Sequence, residues 1–170
     1  MSITAAPDPK RVVAVSAGTG NPSSTRRLTD RLAQKSLDLL EQAGTPATAS
    51  VVELGPLALD TARAAVAGFP GQQIQAVIDR LAAADAIIAA TPVYKAGISG
   101  LFKSFVDVLD DDLIVAKPVL LAATGGTPRH ALVIDDQMRP LFAYLRGLST
   151  EQLLQLRDLC RSLTTESTRP

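Results

Sequence analysis

Four short apolar runs, each separated from the next by polar loops and helix-patterned sequence, constrain this chain more than any other feature. They lie at residues 11–16, 49–54, 86–91 and 118–124. Runs with little polar alternation read as strands buried on both faces. The first passes into Ala17-Gly18-Thr19-Gly20-Asn21-Pro22. Ser23, Ser24 and Thr25 then open a segment with Leu28, Leu32, Ala33, Leu37 and Leu40 at helical spacing, closed by Gly44 and Pro46. Breaker residues of this kind mark a helix end. A less regular Ala-rich stretch follows the second run as far as Phe69-Pro70-Gly71. Ile74, Val77, Ile78 and Leu81 then stripe a helix over 72–84. The third run stops at Pro92, and Ile98, Leu101, Phe102, Phe105 and Leu109 mark the next helix. The fourth opens into Gly125-Gly126-Thr127. Residues 130–147 carry a stripe of Ile134, Met138, Leu141, Phe142 and Leu145, with Pro140 expected to bend that helix unless its neighbours absorb the missing N–H. Alternating strands and helices require right-handed crossovers, which predicts an α/β doubly wound parallel sheet in a three-layer α/β/α sandwich.

Composition removes several function classes. Lys plus Arg and Asp plus Glu are both 17, so the basic excess expected of a nucleic-acid or acidic-membrane binder is missing. No apolar run approaches the ~18 residues of a membrane span. Neither a basic region nor an apolar one precedes residue 11, so residues 1–10 read as a disordered leader, residues 11–163 as one domain and 164–170 as a flexible tail, in a cytoplasmic protein. One cysteine, Cys160, and one histidine, His130, cannot make a disulfide framework or a four-ligand zinc site. Asp107, Asp110, Asp111 and Asp112 fall at a helix end, on the side of the sheet away from the strands' carboxyl ends, and read as solvated surface.

Ligands of open parallel sheets bind beyond those carboxyl ends. The loop at residues 16–25 offers small residues and several hydroxyls beside a helix start, a setting that favours a phosphate; each hydroxyl could equally be a helix cap. Known phosphate motifs fit it poorly. No Gly-Lys-Ser/Thr string is present, and Gly18-x-Gly20-x-x-Ser23 lacks the third glycine of a dinucleotide fingerprint, although Glu53 stands where a ribose-binding acid would. A receiver domain would need an Asp where Thr91-Pro92 stands.

The strings Thr91-Pro92-Val93-Tyr94-Lys95-Ala96 and Gly125-Gly126-Thr127-Pro128-Arg129-His130 resemble the NADPH-dependent FMN reductase family, in particular its alkanesulfonate-associated members, and the likeness runs over about 11–146. The resemblance implies a flavodoxin-like fold, FMN reduction by NADPH or NADH, and delivery of reduced flavin to a separate monooxygenase. It also implies a homo-dimer or tetramer. On it, Ser16, Ser23, Ser24 and Thr25 would hold the FMN phosphate, while Pro92, Val93 and Tyr94 would lie along the isoalloxazine. Thr124, Gly125, Gly126 and Thr127 would form the opposite loop, where Gly125 and Gly126 leave room for a planar ring. Tyr94 could instead plug the top of the core, and Lys95 either meets a phosphate or is simply solvated. Arg129 could meet the 2′-phosphate of NADPH or sit on the surface. His130 is a cap, a structural hydrogen-bonder or a nucleotide contact. Hydride transfer needs no obligatory protein acid, so no catalytic side chain is expected. The alternatives are a flavin-dependent quinone or azo reductase, and a non-catalytic flavin carrier or regulator.

The family's usual fifth strand is expected to be missing, since Gly147-Leu148 leads directly into Ser149-Thr150-Glu151-Gln152, a plausible capping box before a last helix with Leu153, Leu156, Cys160 and Leu163. The fourth strand would then be an uncovered edge, pointing to oligomer cover or to residues missing from the sequence.

Overall fold

The computed structural model describes residues 8–149 together with Leu153 and Leu154. Five parallel strands form the sheet: β1 (Lys10–Ser16), β2 (Ala47–Glu53), β3 (Ala86–Tyr94), β5 (Pro118–Thr124) and β6 (Leu148–Ser149), in the order β2-β1-β3-β5-β6. A two-residue strand, β4 (Gly97–Ile98), folds back antiparallel on the end of β3. The helices are α1 (Ser24–Gln42), α2 (Ala58–Ala67), α3 (Gln72–Ala82), α4 (Gly100–Val106) and α5 (Arg139–Tyr144). This is the flavodoxin-like α/β architecture that the sequence predicts. Among the described residues no helix is long and apolar enough to cross a membrane.

Both faces of the central strands β1 and β3 are packed, which is why they read as nearly unbroken apolar runs. Val13 and Val15 of β1 face one side with Ile87 and Ala89 of β3, under Val77 and Leu81 of α3, Phe102 and Phe105 of α4, and Met138 and Phe142. Burial of each phenylalanine ring contributes roughly 1.5–3 kcal/mol. Val12 and Ala14 point the other way and pack with Ile88 and with Ala33 of α1. The alternation is the period-two geometry of a strand.

Four expectations need correction. The fifth parallel strand is present: Leu148 and Ser149 pair with Pro118 and Val119, so β5 is not the sheet edge at its start. Gly147 seats this short strand, since a Cβ there would lie 3.0 Å from Val119 Cγ2 and 3.3 Å from Ile114 Cδ1. Second, β3 does not stop at Pro92 but runs to Tyr94, with Pro92 in register with Thr124. The Ala90 carbonyl faces β1, accepting from the Ala17 N–H at 2.9 Å. Two residues on, the Pro92 nitrogen faces the same side, where the β1 ladder has already ended at Ser16 and Ala90, so no ladder bond is lost.

Third, residues 130–147 are not one helix. A 3₁₀ turn (Pro128–His130) and a π-helical segment (Ile134–Met138) precede α5. In an α-helix the Pro140 ring would strike the carbonyl four residues earlier. The widened turn ahead of it, closed by Arg139 N–H on the Ile134 carbonyl, places Pro140 in the first turn of α5, where its missing N–H costs nothing. Fourth, the Ala-rich stretch contains α2, ended by left-handed Gly68, while Ile98 belongs to β4 and not to the next helix. Residues 1–7 of the expected leader lie outside the described residues while Lys10, its last residue, begins β1, and the expected last helix and tail beyond Ser149 lie outside them apart from Leu153 and Leu154.

Candidate functional site

A cleft of about 580 Å³ opens over the carboxyl ends of β1, β3 and β5, within the size range of small-molecule sites. Three loops line it: Gly18, Thr19, Gly20, Pro22, Ser23, Ser24 and Thr25 from the first, Pro92, Val93 and Tyr94 from the second, and Ala123, Thr124, Gly125 and Gly126 from the third. None of the lining residues is an Asp or a Glu, so the walls carry no carboxylate to repel an anion.

The first loop is tightly determined. Ser23 caps α1, its Oγ accepting from the Arg26 N–H at 3.1 Å, and the preceding Asn21–Pro22 peptide is cis. A Cβ on Gly18 would fall 2.0 Å from Ser23 Oγ and 2.9 Å from Thr25 Cβ, so only glycine lets the loop fold over the helix start. Thr25 is buried, and its Oγ1 lies 2.6 Å from Thr124 Oγ1, joining the first loop to the third. Ser24 is exposed in the cleft at the first turn of the nineteen-residue α1. The unpaired N–H groups of such a terminus attract a phosphate. Arg26 is turned to other work: its guanidinium pairs with Asp30 at 2.8 Å and also with Glu53. The Asp30 hydrogen bond, reinforced by Glu53, raises its pKa.

The second and third loops supply a slot. Thr91 is buried, and its Oγ1 accepts from the Ser99 N–H at 3.1 Å, fixing the base of the hairpin that carries Tyr94. Tyr94 is exposed over the cleft. Opposite, a Cβ on Gly125 would meet His130 Cβ at 2.9 Å, whereas one on Gly126 would meet nothing within 4 Å. Gly125 is therefore needed for packing, and Gly126 leaves open space.

Of the residues singled out from sequence, Ser23, Ser24, Thr25, Pro92, Val93, Tyr94, Thr124, Gly125 and Gly126 come together at the cleft; Ser16, Lys95, Thr127, Arg129 and His130 do not line it. Ser16 is fully buried behind the loop, and its Oγ has no hydrogen-bond partner among the described residues. Lys95 sits at the exposed hairpin tip. Thr127 caps the 3₁₀ turn by accepting from the Arg129 N–H at 3.0 Å, Arg129 itself is exposed, and His130 lies with its ring against Gly125. Gly18, Thr19, Gly20 and Pro22 line the cleft as part of the loop at residues 16–25 without having been singled out one by one, and Ala123, at the end of β5, joins them. At the opposite end of β5, Tyr144 donates to Asp111 at 2.9 Å, and Asp112 pairs with Arg146, placing the acidic cluster away from the cleft.

The sequence matches the NADPH-dependent FMN reductase family over residues 10–155, nearly the whole described chain. The chain belongs to that family. Among FMN reductases it is similar to the FMN reductase (NADPH) of Pseudomonas aeruginosa, 40% identical over 141 residues that span 83% of this chain and 73% of that protein. It is also similar to the NADH-dependent FMN reductase SfnE of Pseudomonas putida, 37% identical over 141 residues with the same coverage. An oxidoreductase structure from Corynebacterium diphtheriae superposes with a TM-score of 0.82 at 34% identity, covering 85% of this chain and 79% of that one. The cleft suits the family's flavin on three counts: a Cβ-free cradle at Gly18, uncharged hydroxyl and N–H donors for a phosphate, and a side-chain-free strip at Gly125 and Gly126 facing Pro92, Val93 and Tyr94.

Proposed function

We propose that this chain binds FMN in the cleft over β1, β3 and β5 and catalyses hydride transfer to it from NADPH or NADH, for release of reduced flavin to a separate flavin-dependent monooxygenase. The observation that carries the reading is the cleft free of charged side chains, lined by the hydroxyls of Thr19 and Ser24 at the start of α1 and by Gly125 and Gly126 in the third loop, in a chain of the FMN reductase family. Ser24, Thr19 and the first N–H groups of α1 hold the phosphate. Ser16 and Thr25, both buried, support that loop from behind. Pro92, Val93 and Tyr94 form one wall, and Gly125 and Gly126 allow the nicotinamide to approach the other face.

Bound FMN supplies the hydride acceptor. The chain's own contribution is alignment and exclusion of water, so no general acid or base is required. Backbone N–H groups of the third loop stabilise negative charge at the ring edge, Tyr94 covers the ring, and Lys95, Thr127, Arg129 and His130 at the rim meet the nicotinamide nucleotide. Relatives named for NADPH and for NADH occur at similar identity, so either nucleotide fits the reading. The same reading includes a homo-oligomer.

The test follows NADPH and NADH oxidation by absorbance, with and without FMN, in the unaltered chain and in Ser24→Ala. Oxidation should depend on FMN, and Ser24→Ala should raise the KM for FMN about tenfold with kcat nearly unchanged, as loss of one charge-assisted hydrogen bond predicts. Turnover of quinones or azo dyes without any use of FMN would sink the reading. So would FMN binding with no nicotinamide oxidation.

A further inference from the structure

We propose that Gln137 is a positioning residue for the flavin cleft, a two-point clamp holding the hairpin that carries Tyr94; the inference rests on the reductase reading above. The hairpin turns through Lys95 and Ala96, whose φ angles are 52° and 62°. A two-residue turn left-handed at both positions is the one that Asn-Gly favours, because a Cβ is unfavourable there. Lys-Ala is a poor choice for it. The strands offer little compensation, since β4 has two residues and pairs only Val93 with Ile98 and Tyr94 with Gly97.

Gln137 supplies what the turn lacks. Its Oε1 accepts from the Ile98 N–H at 3.0 Å, and its Nε2 donates to the Ala96 carbonyl at 2.9 Å. One side-chain amide thereby uses both ends on a single hairpin. The fit is close, because a Cβ on Gly97 would lie 3.4 Å from Gln137 Oε1. Gln137 stands in the π-helical segment that the third cleft loop leads into, so it ties the Tyr94 hairpin to the chain that follows Gly125 and Gly126. It reaches the cleft through the backbone without lining it.

Gln137→Met keeps the length of the side chain and removes both hydrogen bonds. With two bonds lost, the FMN dissociation constant, read by quenching of flavin fluorescence, should rise about tenfold. The KM for FMN should rise with it while kcat changes less, and the Ile98 amide should exchange faster with deuterated solvent. Adding Ala96→Gly, which removes a Cβ from a left-handed position, should restore most of the affinity to Gln137→Met while changing little in the otherwise unaltered chain. A Gln137→Met protein with a lowered Tm but unchanged FMN affinity and Ile98 exchange overturns the clamp, and failure of Ala96→Gly to rescue does the same. If the unaltered chain binds no FMN, the reductase reading falls and Ile98 exchange alone judges the clamp: faster exchange in Gln137→Met supports it, unchanged exchange overturns it.

Discussion

The two walls of the cleft are held in different ways. The wall proposed for the phosphate is fixed by contacts among close neighbours in sequence, with Gly18 folded against Ser23 and Thr25 and the Ser23 cap on α1. The wall proposed for the ring is an exposed hairpin with two residues in left-handed backbone, pinned at its base by Thr91 and at its turn by the distant Gln137. A site can therefore combine a rigid anchor for one end of a ligand with an adjustable cover for the other. An anion hole must be exact to give affinity, whereas a ring slot has to admit a second planar molecule.

Gly18→Ala should break the comparison most severely. Its methyl has no place between Ser23 Oγ and Thr25 Cβ, so the chain should lose about 1–3 kcal/mol of stability from overpacking. Its FMN affinity should fall by more than about tenfold, measurable by denaturant titration and fluorescence quenching together. Gly126→Ala sharpens the contrast, because nothing lies within 4 Å of the new methyl. Stability should stay within about 0.5 kcal/mol while flavin affinity drops several-fold, as roughly one obstructing methyl predicts. A stability loss as large as that of Gly18→Ala would show the two walls to be equally constrained.

The smallest effect belongs to the other end of the sheet. Asp85 accepts from the Arg11 N–H at 2.8 Å and from Lys10 Nζ at 2.9 Å. The backbone bond from Arg11 chiefly, and then Lys10, hold its carboxyl below the ordinary value. A depressed folded pKa contributes stability above the unfolded value and loses it as pH falls through the folded one. Asp85→Asn should therefore reduce the dependence of Tm on pH in the acid range and leave FMN binding unchanged at neutral pH, with only a slight change in Tm there, since the group is solvated.

How far these features were legible in sequence follows from what produces them. β1 and β3 were legible because burial on both faces demands nearly unbroken apolar runs, β2 and β5 because short apolar stretches stand between breaker residues, and the first loop because small and hydroxyl residues cluster before a helix. β6 left no such trace: two residues make no run, and what seats them is Gly147 against Val119 and Ile114, a contact between distant segments. Pro92 misled because its harmlessness depends on where a neighbouring ladder ends. Thr25 was legible as a polar residue of the site, but its bond to Thr124 was not, since no local pattern encodes a partner 99 positions away. Gln137 carried no signal at all, being one polar residue in a helical stripe whose π turn is visible only in three dimensions.

The bond between Thr25 and Thr124 also bears on the order in which the chain matures. β1 and α1 are adjacent in sequence and can associate early, but the hydroxyl that braces their loop is delivered only when β5 docks beside β3. Contacts of such long sequence separation are late ones, because closing the intervening chain must come first. During synthesis the brace on this loop is thus completed only after Thr124 has emerged and β5 has docked, and under the function proposed above capture of FMN would become a sign that the sheet is assembled, not merely begun.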